Sequence, residues 1–171
     1  MAGSLVKVSS STITSASANV ILTGIDTDDV YMLTYRIKPV TDSATGLYLR
    51  FTESGTANST SNYDYADNDL RANEASFGVD YATNQSLLSL AWATGNATGE
   101  EAGGIIYIYN ANSSSTYTSL SYESYYMVST PVFRGRQGTM TLTVDSAVDG
   151  VEMWWSTGNI AEGEFTLYKV V

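Results

Sequence analysis

Carboxylates are the side chains here with the widest scope for acid–base chemistry. The chain has no His and no Cys among its 171 residues. That removes His general bases, Ser-His-Asp triads, thiolate nucleophiles and imidazole or thiolate zinc sites. Apart from an unusual Ser–Lys arrangement, an enzyme built on this chain would use paired acids. A glycosidase needs two of them about 5–9 Å apart across a cleft. The candidates are Glu53, Asp64, Asp67, Asp69, Glu74, Glu100, Glu101 and Glu123. Most lie in Gly/Ser/Asn-rich stretches, where a solvated loop carboxylate is the ordinary role, so a non-enzymatic protein is expected.

Metal and phosphate chemistry are weaker still. Asn62-Tyr63-Asp64-Tyr65-Ala66-Asp67-Asn68-Asp69 offers hard oxygen ligands, as do Asp26, Asp28 and Asp29. Neither segment has the ligand spacing or the closing Glu of a helix-loop-helix calcium site. Asn and Asp stabilise turns through their own side chains, so no metal and no cofactor is expected. Gly103-Gly104 opens an apolar run and lacks the following Lys-Ser/Thr of a phosphate-binding loop.

Aromatic residues remain the chief candidates for binding. The chain carries 13 Tyr, 3 Trp and 4 Phe, a large stock for one domain. Tyr63, Tyr65, Trp92, Tyr125, Tyr126, Trp154 and Trp155 are the candidate ligand or interface aromatics, because Tyr and Trp offer rigid amphipathic area to sugar rings or protein partners. About half of the aromatic stock is expected to be core. In a strand, neighbouring side chains face opposite ways. One of Trp154 and Trp155, and one of Tyr125 and Tyr126, is therefore inward and the other outward.

Charge narrows the partners. With 8 Lys+Arg against 18 Asp+Glu the net charge is −10, which disfavours nucleic acid and anionic lipid alike. No apolar run approaches the length of a membrane-spanning helix, and Met1–Val8 lacks the apolar core of a signal peptide. Sequons at Asn58, Asn84, Asn96 and Asn112 are expected to stay unglycosylated without such a signal.

The elements that must position these residues are strands. Thr, Val, Ile, Tyr and Trp dominate the apolar segments, and good helix formers are sparse. Short alternating runs bounded by Gly, Asn, Asp and Ser predict strands at 6–9, 19–23, 30–38, 46–52, 87–92, 104–109, 117–128, 132–136, 138–144, 151–156 and 164–170. Alternation is clearest in Leu47-Tyr48-Leu49-Arg50-Phe51 and Met140-Thr141-Leu142-Thr143-Val144. Asp149-Gly150 reads as a hairpin turn. Three longer polar loops are expected at 53–65, 94–103 and 110–116. The fold class is all-β: a single antiparallel β-sandwich of jelly-roll type over residues 16–171. Residues 1–15 would form an N-terminal arm or attachment segment with the first strand.

Several stretches carry a resemblance. The opening Leu5-Val6-Lys7-Val8-Ser9-Ser10-Ser11-Thr12-Ile13, then Asn19–Asp26 and Asp29-Val30-Tyr31-Met32-Leu33, resembles short virion structural proteins of tailed phages, especially marine and cyanobacterial ones. Leu47–Gly55 and Asn62–Ala66 look like the same family. So does the ending Asp149-Gly150-Val151-Glu152-Met153-Trp154-Trp155-Ser156-Thr157-Gly158-Asn159-Ile160-Ala161-Glu162-Gly163-Glu164-Phe165-Thr166-Leu167-Tyr168, although Lys169 stands where the family has Gly. The resemblance implies a β-sandwich module of the virion exterior, a capsid decoration, knob or head fibre, with no catalytic residues. It also implies neighbouring capsid or tail proteins as partners and a homo-oligomer, a trimer being the first candidate. The alternative is a tail-fibre receptor-binding module. There the loops 53–65 and 94–103, with Trp92, would present Tyr63 and Tyr65 to host-surface glycans.

Overall fold

The computed structural model describes residues 3–171, the side chains of Ala44 and Thr45 excepted, and the described chain is all-β. Its strands are β1 (Leu5–Ile13), β2 (Asn19–Thr23), β3 (Tyr31–Pro39), β4 (Ala44–Glu53), β5 (Thr56–Ala57), β6 (Tyr63–Arg71) and β7 (Gly78–Gln85). They continue with β8 (Leu88–Thr94), β9 (Ala102–Tyr109), β10 (Ser119–Met127), β11 (Phe133–Leu142), β12 (Gly150–Trp155) and β13 (Ile160–Val170). All pairings are antiparallel. An eight-stranded sheet runs β1-β13-β3-β9-β10-β11-β6-β7. The smaller sheet runs β2-β12-β4, with β8 and β5 sharing the far side of β4.

Two four-strand sets within this order define the topology. One is β1-β13-β3-β9 and the other β2-β12-β4-β8. Apart from β4 and β8, which pair within the smaller sheet, successive strands of these sets alternate between sheets, and late strands fold back beside early ones, which is the double Greek key of a jelly roll. Two insertions enlarge it. The β5–β7 segment enters between β4 and β8, and the β10–β11 hairpin between β9 and β12. Both add strands to the same side of the larger sheet. β1 runs along β13 from Leu5 to Ile13, so most of the expected attachment arm is an edge strand; Met1 and Ala2 lie outside the described residues.

Strand parity builds the core. Tyr31, Leu33, Tyr35 and Ile37 of β3 face inward, with Ile106 and Ile108 of β9 and Phe165 and Leu167 of β13. They meet Leu47, Leu49 and Phe51 of β4, Leu88 and Leu90 of β8, and Val151, Met153 and Trp155 of β12. Burying this much apolar surface is the main force holding the two sheets together.

Three expectations are corrected. The two strands expected at 132–136 and 138–144 are one, β11 (Phe133–Leu142), because Gly138 does not break it. A Cβ there would meet the Asp67 Cβ at 2.3 Å and the Ala66 carbonyl oxygen at 2.5 Å, so Gly is what lets β6 approach. Asp149-Gly150 is no hairpin turn. It lies on the crossing from one sheet to the other, with the Asp149 carboxylate accepting from Thr52 Oγ1 at 2.6 Å and Gly55 N at 2.7 Å. Finally, the expected loop 53–65 gives way to β5 and the start of β6, and β7 was not anticipated at all. β6 and β7 are polar past Tyr65, and their inward Asp67 and Asp80 are held by Arg136 where an apolar residue would mark a strand.

Candidate functional site

Inner-face parity on β11 places Met140 and Leu142 in the core and so drives Arg136 inward as well. Its side chain is 1 % exposed, and that of Asp67, diagonally across on β6, is 0 % exposed. A buried charge requires a partner. Arg136 Nη2 donates to Asp67 Oδ1 at 2.6 Å and to Asp80 Oδ2 at 2.8 Å. Its Nε donates to Asp67 Oδ1 at 3.1 Å, and its Nη1 to the Ser89 carbonyl at 3.0 Å. Tyr122 Oη donates to Asp67 Oδ2 at 2.8 Å. One guanidinium thus fastens β6, β7, β8 and β11 together. Burial pushes the Asp67 carboxyl up, while Arg136 and Tyr122 pull it back down. Burial also holds the Tyr122 hydroxyl far above its usual range.

This cluster is built for cohesion. A glycosidase holds its two carboxylates apart across an open cleft, whereas Asp67 and Asp80 share one cation. Asp69 continues the network outward, accepting from Tyr126 Oη at 3.0 Å and Arg71 Nε at 2.6 Å. Glu74 pairs with Arg71, and Glu101 with Arg36. Asp64 accepts from Asn84 N, Glu53 from Ser146 Oγ, and Glu100 from Ala97 N. Among the described residues, no three or more acidic side chains converge on a point that could hold a metal ion.

The candidate aromatics are dispersed rather than assembled. Tyr63 is fully buried, its ring tilted against Phe51 at 6.1 Å and its hydroxyl donating to the Asn58 carbonyl. Tyr126 and Trp155 are also core. Tyr65 is half-buried on the inner face of β6. Trp92 is exposed beside Asp80, Arg134 and Arg136. The expected platform of Tyr63, Tyr65 and Trp92 is therefore absent, because β6 parity turns Tyr63 and Tyr65 inward. The alternation at the two pairs holds: Tyr125 and Trp154 face out. Tyr125 stacks on Phe133 at 6.4 Å. Trp154 lies edge-on to Tyr48 at 5.5 Å, with the Arg50 guanidinium 4.0 Å above its ring.

The exposed apolar surface lies mainly on the outer face of the larger sheet. At its free edge, β7 and the residue before it present Phe77, Val79 and Tyr81, which are 72 %, 70 % and 75 % exposed. These alternate positions share one face. Further in, Ile105, Tyr107, Tyr125 and Phe133 are exposed. One cross-strand row spans the whole sheet: Lys7, Tyr168, Met32, Tyr107, Ser121, Thr139, Ala66, Tyr81. Between Tyr107 and Tyr81 its side chains are small, leaving two adjoining shallow depressions of about 570 and 560 Å³. Sequence reasoning missed this face because its floor is Ser, Thr and Ala, residues that carry no signal until strand order brings them into line.

The fold defines the class as a jelly-roll β-sandwich. No protein-family model matches the chain, and no characterised protein matches it in sequence. Among solved structures, the exo-inulinase from Aspergillus awamori is similar, with 10% identity and a TM-score of 0.49 over 96% of this chain and 29% of that one. The chain thus spans less than a third of that enzyme's length, and the likeness carries no argument about chemistry.

Proposed function

We propose that the chain is a non-enzymatic structural module of a tailed-phage virion, a decoration, knob or head fibre displayed on the particle exterior. The phage context rests on the sequence resemblance. The observation that carries an assembly role is the edge at β7, whose Gly78–Ala82 stretch pairs with β6 in unbroken register, the one irregularity falling between Ala82 and Gln85. Sheet edges offer free backbone donors and acceptors, and proteins blunt them with Lys, Pro, bulges or short strands. β1, the opposite edge, has Lys7 and a register irregularity between Lys7 and Ser9. β7, eight residues long, has no Lys, Arg or Pro. Its inward Asp80 is ion-paired with Arg136 and so turned away from the edge. Phe77, Val79 and Tyr81 add an apolar stripe alongside that edge.

Such a strand suits β-augmentation by a neighbouring subunit, backbone bonds supplying affinity and the stripe supplying register. The partner is a further copy of this chain in a closed ring, seated on capsid or tail proteins. The net charge of −10 fits the outside of a particle better than contact with packaged DNA. Sedimentation velocity tests the contact. The wild-type chain is expected to sediment as a homo-oligomer and the V79K/Y81K variant as a folded monomer. A wild-type chain that stays monomeric at all concentrations, or a variant that assembles unchanged, would overturn the β7 contact.

A further inference from the structure

The geometry points to a binding trough for an extended neutral glycan on the outer face of the larger sheet, between Tyr107 and Tyr81. The inference does not depend on the virion reading. Two adjacent rows build the trough. One is Tyr107–Ser121–Thr139–Ala66–Tyr81 and the other Ile105–Glu123–Gln137–Asn68–Val79. Four strand spacings set each row at about 19 Å, enough for an oligosaccharide and too long for a single small ligand. Ser119 and Thr141 hydrogen-bond to each other, and Ser121 to Tyr109, at one end. Among the described residues, Glu123, Gln137 and Asn68 stand in line, exposed, with no side-chain hydrogen bond of their own. They offer amide donors together with amide and carboxylate acceptors.

This lining distinguishes among occupants. A pyranose chain presents C–H faces and hydroxyl edges. Tyr rings at both ends suit the first, and a line of unpaired amides and a carboxylate suits the second. A protein partner fits less well, since interface centres are depleted in Glu, Ser and Ala, the residue types of this floor. Glu123, Asp64 and the net charge of −10 exclude an anionic polysaccharide.

Calorimetric titration of the full chain with maltohexaose, cellohexaose, chitohexaose and a mannan oligosaccharide, with heparin as the anionic control, tests the inference. One or more neutral probes should bind and heparin should not. Tyr107→Ala should weaken binding about tenfold, and Thr139→Arg, which fills the floor from an exposed position, should abolish it. Trp92→Ala and Trp154→Ala, which lie off this face, should leave it unchanged. Failure of every neutral probe at millimolar concentration would overturn the proposal. So would binding that survives Thr139→Arg or is lost instead in Trp92→Ala. If no neutral probe binds the wild-type chain and Thr139→Arg changes its oligomeric state, the trough is a contact between copies and not a glycan site.

Discussion

Arg136→Ala should be among the most damaging single substitutions in this domain. It strands Asp67, whose side chain is 0 % exposed, as an uncompensated charge between β6 and β10. Breaking a buried pair from one side costs about 3–5 kcal/mol, or roughly 10 °C in Tm for a chain of this size. The loss depends on pH with a definite sign. Without Arg136, burial holds the folded Asp67 carboxyl above its unfolded value of about 3.9. Protonation then favours the folded state, so the deficit grows as pH rises through the folded value and fades toward pH 4. Urea denaturation of wild type and variant at pH 8 and pH 4.5 should show the gap narrowing in acid. The double variant D67L/R136M should recover most of the stability, because apolar replacement of both partners removes the stranded charge. Equal loss at both pH values would mean the guanidinium acts through packing alone.

Trp155→Ala should cost a similar amount, about 3–5 kcal/mol, while Trp154→Ala should cost only a fraction of that. The residues are neighbours in sequence, and strand parity separates them. Trp155 is 2 % exposed against the facing sheet, whereas Trp154 rests on the surface against Tyr48 and Arg50. Trp155→Phe refines the test. The indole Nε1 is buried with no hydrogen-bond partner among the described residues, and an unpaired buried donor is itself costly. Losing that donor offsets part of the cavity, so Phe should be far better tolerated than Ala. Thermal melts of the three variants measure the order directly.

Those two cases mark what the sequence discloses. Where apolar residues alternate with polar ones, as in Leu47–Phe51 and at Trp154-Trp155, strand and facing are both legible, and the sandwich follows from enough such runs. Facing is lost where the inward residue is charged. Asp67 reads as a loop carboxylate because its partner Arg136 lies 69 residues away, and nothing local joins them. A signal did exist: Met140 and Leu142 put Arg136 on the inward phase, and an inward Arg demands a carboxylate. β7 was invisible for the same reason, its inward side being Asp80 and Ala82. The trough was invisible for another, since Tyr107 and Tyr81 become ends of one row only through the order β9-β10-β11-β6-β7.

The aromatic candidates divide along the same line. Residue type marked Tyr63, Tyr65 and Trp92 as a platform, but a platform needs rings on one surface. β6 parity sends two of them inward, where Tyr63 becomes a core residue against Phe51. The surface role passes to tyrosines whose neighbours are small, since a ring is accessible to a ligand only where the residues beside it leave space.

Immunogold electron microscopy would show whether this module is displayed on the virion exterior. Antibody raised against this chain would be applied to purified, intact tailed-phage particles that carry its coding sequence. Gold on the outer surface of the head, or on the fibres of intact particles, is the predicted result. Particles that stay unlabelled, while the free chain in the same lysate is bound, would rule out display on the virion exterior.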